Sequence, residues 1–273
     1  MKASEFDLLN IDRKDREAVL LQSGGLDSLY LAHLLDYYHF RVHHIFVDYG
    51  QNTADKELYH AQKIAEKYNG TFNKVELKLP WLTEDVCKLN GGIATSVDAS
   101  ELDENYLGGV KTGIYVPMRN LMLIGIASSY AEAHKIPYIA TGLDGLEDRH
   151  GKPMHGTPDK HPTFAIKLEN ALTESSALYH MDGKKFELLC PIIGNDKFDT
   201  VKAGLEIQCD FTDSWTCYNA TEDGKPCLKC DSCLQRLYAF SDAGYQDPTI
   251  VKYYGEYENP ETLLKSLGNP IDL

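Results

Sequence analysis

A short run, AVLLQ (18–22), passes straight into Ser23-Gly24-Gly25-Leu26-Asp27-Ser28. A leucine stripe at helical spacing (Leu26, Leu29, Leu34, Leu35) begins inside that hexapeptide. A strand that turns into a helix through paired glycines cannot pair with its successor as a hairpin. It calls for a crossover to a parallel neighbour. The rest of the chain keeps that rhythm. Segments 42–49 (VHHIFVDY), 72–79 (FNKVELKL) and 138–143 (YIATGL) are short, rich in β-branched or aromatic residues, and bounded by Gly, Asn or Pro, which predicts strands. Leu58, Ala61, Ala65 and Tyr68 repeat at helical spacing after a candidate N-cap at Asn52 or Thr53, and a third helix is predicted from about Asn120 to Lys135. The expectation is an α/β fold, a parallel sheet with helices on both faces, whose ligands sit beyond the carboxyl ends of the strands.

The hexapeptide has a chemistry of its own. Its glycines let the backbone turn tightly and come close to a ligand. The free N–H groups at the start of the helix, with its partial positive charge, receive anionic oxygens. Ser23 and Ser28 add hydroxyl donors, and Asp27 is placed to orient the loop or to hold magnesium. Ser23, Gly24, Gly25, Leu26, Asp27 and Ser28 are thus candidates for binding a pyrophosphate. The plainer alternative is a glycine turn. The pattern is neither GxxxxGKS nor GxGxxG.

Composition bounds the partners. Lys and Arg total 27 against 41 Asp and Glu, a formal charge of −14, which repels phosphate backbones and argues against broad nucleic-acid binding. No apolar run is long enough to span a membrane, and residues 1–18 lack the apolar core of a signal peptide, so a cytoplasmic protein is expected. Residues 80–116, with Gly91, Gly92, Gly108 and Gly109, look irregular. Residues 143–163 look like a long polar loop, whose His150, His155 and His161 are read as solvated rather than as a second metal site.

Of seven cysteines, four fall close together: Cys217, then Cys227, Cys230 and Cys233 as C-x-x-C-x-x-C. Four thiolates so spaced fit a tetrahedral structural zinc. An iron–sulfur cluster is the runner-up, although there the remote cysteine lies downstream and precedes a proline, whereas here Pro226 precedes Cys227. Simple buried thiols are the third possibility, and the one expected for Cys87, Cys190 and Cys209. The expected organisation is an N-terminal extension (1–17), an α/β domain that carries the candidate pyrophosphate loop (18–211), a four-cysteine module (212–245) that includes a helical stretch LQRLYAF, and a C-terminal tail (246–273).

Further patterns stand in order along the chain: DYGQ (48–51), VPMRN (116–120), TGLD (141–144), PDKHPTF (158–164), Pro191 followed by Lys197, and WTCY before C-x-x-C-x-x-C-x-x-R, from Trp215 to Arg236. SGGLDS resembles the PP-loop ATP pyrophosphatase superfamily. The full set, over residues 18 to about 240, resembles the 7-cyano-7-deazaguanine synthase family. The resemblance implies a nucleotide α-hydrolase-type fold, ATP with Mg2+, a structural Zn2+ and a homodimer. It also implies conversion of a deazaguanine carboxylate, with ammonia, first to the amide and then to the nitrile. By motif, the loop from Ser23 to Ser28 holds the leaving pyrophosphate, and Asp48 and Gln51 lie where a nucleotide contact or a loop staple is expected. Arg119 neutralises phosphate or pairs with the carboxylate, its alternative being a surface ion pair. Asn120 binds substrate or caps a helix, and Lys197 contacts phosphate or is merely solvated. Asp144 and Asp159 hold magnesium or the guanine-like face, or are turn residues.

The match has gaps. The family usually has glycine where Met118 stands, and its YPDCRPEF loop is here TPDKHPTF, with Thr157, Lys160, His161 and Thr163 at the changed positions. These changes surround the expected substrate pocket, while the ATP and cysteine motifs are kept. Three other readings follow. A relative would pass the activated carboxylate to another amine, a protein amine included, as in bacterial defence systems. A tRNA-modifying PP-loop enzyme would thiolate a base. A zinc-binding interaction module would leave the ATP loop unexplained.

Overall fold

The computed structural model describes residues 8, 10–92, 113–147, 153–155 and 157–269. Five parallel strands form one sheet: β1 (Glu17–Leu21), β2 (Arg41–Asp48), β3 (Thr71–Glu76), β4 (Tyr138–Ala140) and β7 (Glu187–Leu189), in the order β3-β2-β1-β4-β7. A two-stranded antiparallel ribbon, β5 (Leu146–Glu147) and β6 (Pro153–His155), stands apart from it. The larger helices are α1 (Leu26–Tyr37), α2 (Ala54–Lys67), α3 (Arg119–Ala133), α4 (Pro162–Ser175), α6 (Lys197–Glu206) and α7 (Asp231–Asp242). Shorter ones are α5 (Ala177–Asp182), α8 (Pro248–Tyr254) and α9 (Pro260–Ser266).

The alternation of the strands explains the two faces. Ala18 and Leu20 of β1, Val42 of β2, Ala140 of β4 and Leu189 of β7 pack with α1, α6 and α7 on one side. Val19, Ile45, Val47, Ile139 and Leu188 pack with Ile124, Ala127 and Ala131 of α3 and with Ala165 and Leu168 of α4 on the other. Side chains that alternate between two covered faces make β1 read as an almost unbroken apolar run, as expected of a central parallel strand, whereas β3 at the edge has no buried residue. The fold class expected from the sequence is the one observed. Helix α1 departs from a simple stripe: Tyr30, Leu31 and Ala32 are buried along with its leucines, since it lies between the sheet and the helices α6 and α7.

Two differences from the sequence reading have local causes. β7 is only three residues long and follows two lysines, too short a run to announce a strand. The polar stretch 143–163 contains the β5–β6 ribbon and a 3-10 turn, Pro158–Lys160, and His161 at its end is buried. Residues 93–112 and His150 lie outside the described residues.

The stretch read as a tail folds as α8 and α9, whose Ile250, Leu263 and Leu264 pack against Trp215, Cys217, Cys230 and Cys233. No helix among the described residues is long and apolar enough to cross a membrane.

Candidate active site

The chain runs from β1 outward through β2 and β3, then returns to β4 on the opposite side of β1. Such a reversal opens a crevice beyond the carboxyl ends of β1 and β4, the place where open α/β sheets bind ligands. The hexapeptide occupies it. Gln22, buried at the end of β1, shapes the loop: its Oε1 accepts from Gly24 N–H at 3.0 Å and its Nε2 donates to Ser28 O at 3.3 Å. Gly24 has φ +77°, and a Cβ there would lie 2.5 Å from Glu57 O and 2.9 Å from Ala61 N, so the loop packs against the backbone of α2. From the other side Trp215 N–H donates to Gly24 O at 2.7 Å.

Gly25 is the N-cap of α1, and no side chain caps that helix. The Ser23 and Ser28 hydroxyls stand 3.2 Å apart at its mouth. Unpaired N–H groups, the positive end of a helix and two hydroxyls form a cradle that fits a polyphosphate. Leu26 is itself wholly buried and offers only its backbone.

Charges ring this loop. Lys197 opens α6 behind a capping box formed by Asp196 and Asp199, and its Nζ donates to both Asp27 oxygens, at 2.7 and 2.6 Å. Burial disfavours its ammonium, but Asp27 and then Asp144 outweigh that and raise its pKa. A Cβ on Gly142 would lie 3.3 Å from Asp27 Cβ, so the chain leaving β4 runs over the loop, and two residues later Asp144 accepts from Lys160 Nζ at 2.8 Å.

Arg119 is the first residue of α3, and its Nη1 donates to the Tyr49 hydroxyl at 3.4 Å. Burial opposes its charge, but Tyr49, Tyr218 and Asp159 together hold it firmly protonated. Burial in turn pushes both phenols up, against the pull of Arg119 on each and of Lys160 on Tyr218. Asn120 N–H donates to Asp159 Oδ2 at 2.8 Å, and Thr157 donates to Oδ1 at 2.7 Å. Asp159 therefore caps α3 from a distant loop. Met118, which precedes Arg119, is 54% exposed with φ +55°.

Asp48 and Gln51 face their own loop. Asp48 Oδ1 accepts from Gly50 N–H at 3.1 Å, and Oδ2 pairs with Lys74. Gln51 is buried; its Oε1 accepts from Tyr49 N–H and its Nε2 donates to Glu57, each at 2.9 Å. Thr53 donates to the other Glu57 oxygen at 2.7 Å, and burial raises the pKa of this carboxyl.

The four clustered sulfurs, Cys217, Cys227, Cys230 and Cys233, lie within 4.8 Å of one another and are the one such group among the described residues. A tetrahedron with metal–sulfur bonds of about 2.3 Å has edges of about 3.8 Å, so the set fits zinc. Cys227 N–H donates to Cys217 Sγ at 3.2 Å, and the Lys229 and Cys230 amides donate to Cys227 Sγ, each at 3.4 Å, contacts that favour thiolates. Cys87, Cys190 and Cys209 are buried elsewhere, and burial pushes the thiols of Cys190 and Cys209 up to about 12.

The structure thus brings Asp27 to Lys197, Asn120 to Asp159, and Arg119 to a pair of phenols. Sequence reasoning missed Gln22, Tyr49, Glu57, Tyr218 and Lys160. Gln22, a polar residue closing an apolar strand, carried the clearest signal of these.

Residues 17–244 match the family described as queuosine biosynthesis protein QueC. The chain is 32% identical over 244 residues to a 7-cyano-7-deazaguanine synthase of Methanosphaerula palustris, an alignment covering 85% of this chain and 97% of that protein. It is 30% identical over 241 residues to a synthase of the same name from Rhizorhabdus wittichii, covering 88% and 98%. A third such synthase, from Picrophilus torridus, is 32% identical over 241 residues, covering 88% and 93%.

Proposed function

This chain belongs to the queuosine biosynthesis protein QueC family, and on that premise we propose that it is a 7-cyano-7-deazaguanine synthase, a ligase that forms C–N bonds at the expense of ATP. The observation that carries the reading is a phosphate cradle at the crevice of the sheet, on which Lys197 is held through both oxygens of Asp27. Enzymes of phosphoryl and adenylyl transfer work mainly by positioning reactants and stabilising charge on phosphate oxygens, and this site is equipped for both.

The carboxylate of 7-carboxy-7-deazaguanine attacks the α-phosphorus of ATP, and pyrophosphate leaves. Ammonia adds to the acyl carbon, loses a proton and displaces AMP, giving the amide. The amide oxygen is adenylated by a second ATP with loss of a proton, and elimination of AMP leaves the nitrile. The amides and hydroxyls of Ser23 to Ser28 receive each pyrophosphate. Lys197 neutralises its charge, and Asp27 fixes that ammonium. Arg119 steadies charge at the α-phosphate. Asp159 and Asn120 set the end of α3 against which the base lies, with Asp144 beside it.

Mg2+ would arrive on the triphosphate, with Asp27 as the carboxylate at hand, and would screen phosphate charge. Zn2+ at the four cysteines would be structural, a closed site with no open position. A cytoplasmic homodimer, and a thiolate unit that begins near residue 212, belong to the same proposal. No observation favours transfer to a protein amine or base thiolation over it.

The test is mass spectrometry of products from purified protein with magnesium-ATP, ammonium and 7-carboxy-7-deazaguanine, with pyrophosphate followed in parallel. The nitrile is expected. Accumulation of the amide alone points to the amide-forming relative, and absence of pyrophosphate release overturns the reading.

A further inference from the structure

We propose that Lys160 is the receptor for the carboxylate of the substrate, with Asp144 as its resting partner. The inference rests on the adenylation reading above and names which side chain recognises the acid.

The backbone of Lys160 is held from two directions. Asp159, the residue before it, is bound to the start of α3 through Asn120 N–H at 2.8 Å. Lys160 O accepts from Gly145 N–H at 3.2 Å, and a Cβ on Gly145 would lie 2.6 Å from the Lys160 carbonyl carbon, so the two loops touch with no space for a side chain between them. Lys160 therefore stands where the exit of β4 meets the beginning of α3, between the phosphate loop and Arg119. Its field reaches Tyr218, as that of Arg119 does, and the field of Asp144 reaches Lys197.

Its ion pair is of an exchangeable kind. Lys160 Nζ makes one contact with Asp144, at 2.8 Å, and the side chains are 25% and 24% exposed. Lys197, in contrast, holds both oxygens of Asp27 and is committed to the phosphate loop. An ammonium offers three donors on a flexible stem. A second carboxylate entering the crevice finds Lys160 preformed and, among the described residues, held by a single aspartate that the incoming acid replaces. Once the acid has become the amide, the group that Lys160 recognises carries no charge, and the contact weakens. The lysine therefore discriminates for the first half-reaction and not for the second.

That asymmetry supplies the test. Lys160→Met in the full chain is assayed with the carboxylate and, separately, with the corresponding deazaguanine amide, each with magnesium-ATP. The KM for the acid should rise at least tenfold, while the KM values for the amide and for ATP stay within twofold. Lys160→Arg should restore most of the affinity for the acid. If Lys160→Met does not fold, judged by circular dichroism, Lys160→Gln carries the same comparison. An equal loss on acid and amide would mean that Lys160 only supports the loop, and an unchanged KM for the acid overturns the proposal outright. Failure of the unsubstituted protein to release pyrophosphate with the acid counts against the adenylation reading instead.

Discussion

Two clusters of charge in this chain are built to opposite plans. Arg236 and Asp247 are 2% and 0% exposed, and all three guanidinium nitrogens are hydrogen-bonded. The guanidinium donates to both Asp247 oxygens at 2.6 and 2.8 Å, to Ser214 Oγ and Thr249 Oγ1 at 2.6 Å each, and to Phe211 O at 3.2 Å. At the crevice, Lys197–Asp27 and Lys160–Asp144 are about one-fifth to one-quarter exposed, and among the described residues each ammonium has a single carboxylate partner. The enclosed cluster ties α7, the start of α8 and the segment 211–214 into one unit, out of reach of a ligand. Of the two half-wet pairs, the singly bonded Lys160–Asp144 is the freer to trade partners, whereas Lys197 holds both oxygens of Asp27. A charge enclosed by fixed acceptors is architecture; a charge left with one movable acceptor is a site.

The sharpest way to break that contrast is to remove one cation from each cluster. Arg236→Met leaves Asp247 buried and unpaired, which should lower stability by about 3–5 kcal/mol in urea unfolding. Lys197→Met should cost no more than about 1 kcal/mol, since its pair is partly solvated. It should nonetheless cut pyrophosphate release by roughly 100-fold or more. Equal losses of stability would erase the distinction.

A second prediction concerns His44, which lies behind the phosphate loop with Nδ1 3.5 Å from Gln22 Nε2. Burial, helped by the charge of His43, depresses its pKa to about 4. Above the ordinary histidine value the folded and unfolded chains are both neutral there, and stability is unaffected. As pH falls from about 6.5 toward 4 the unfolded chain takes up a proton that the folded chain refuses, so stability is lost, about 3 kcal/mol across the window. Urea midpoints at pH 7 and pH 4.5 for the unsubstituted protein and His44→Asn measure it; a pH response unchanged by the substitution would remove His44 as its source.

The smallest effect is expected at Met118. A left-handed backbone costs a residue with a Cβ about 1–2 kcal/mol, and glycine relieves that while adding freedom to the unfolded chain. Met118→Gly should therefore stabilise the protein by less than about 1 kcal/mol, read as a shift of one to a few degrees in Tm. A fall in Tm would mean that the half-exposed thioether packs more than its exposure suggests.

The sheet was legible because its central strands β1 and β2 are buried on two faces and β1 appears as a continuous apolar run. The glycine turn into α1 and the cysteine cluster were legible because each is local, its residues set by spacing along a short stretch. What escaped was set by distance along the chain. Lys197 meets Asp27 from 170 residues away, and Asn120 meets Asp159 from 39. No periodicity announces such pairs, and only the crossing of β4 over the phosphate loop assembles them. Asp48 and Gln51 show the converse. Their types and place suggest a nucleotide contact or a loop staple, and the structure shows the staple: each bonds a backbone N–H of its own turn, and Asp48 also reaches Lys74 and Gln51 reaches Glu57.

The hydrogen bond from Trp215 N–H to Gly24 O gives the assembly an order in time. Gly24 is synthesised long before the residue that pins its loop. The indole of that residue donates its Nε1–H to Cys217 O at 2.9 Å, so the pin itself is set by the thiolate unit. Until residue 215 is in place, the carbonyl of Gly24 lacks the hydrogen bond that ties its loop to the thiolate unit.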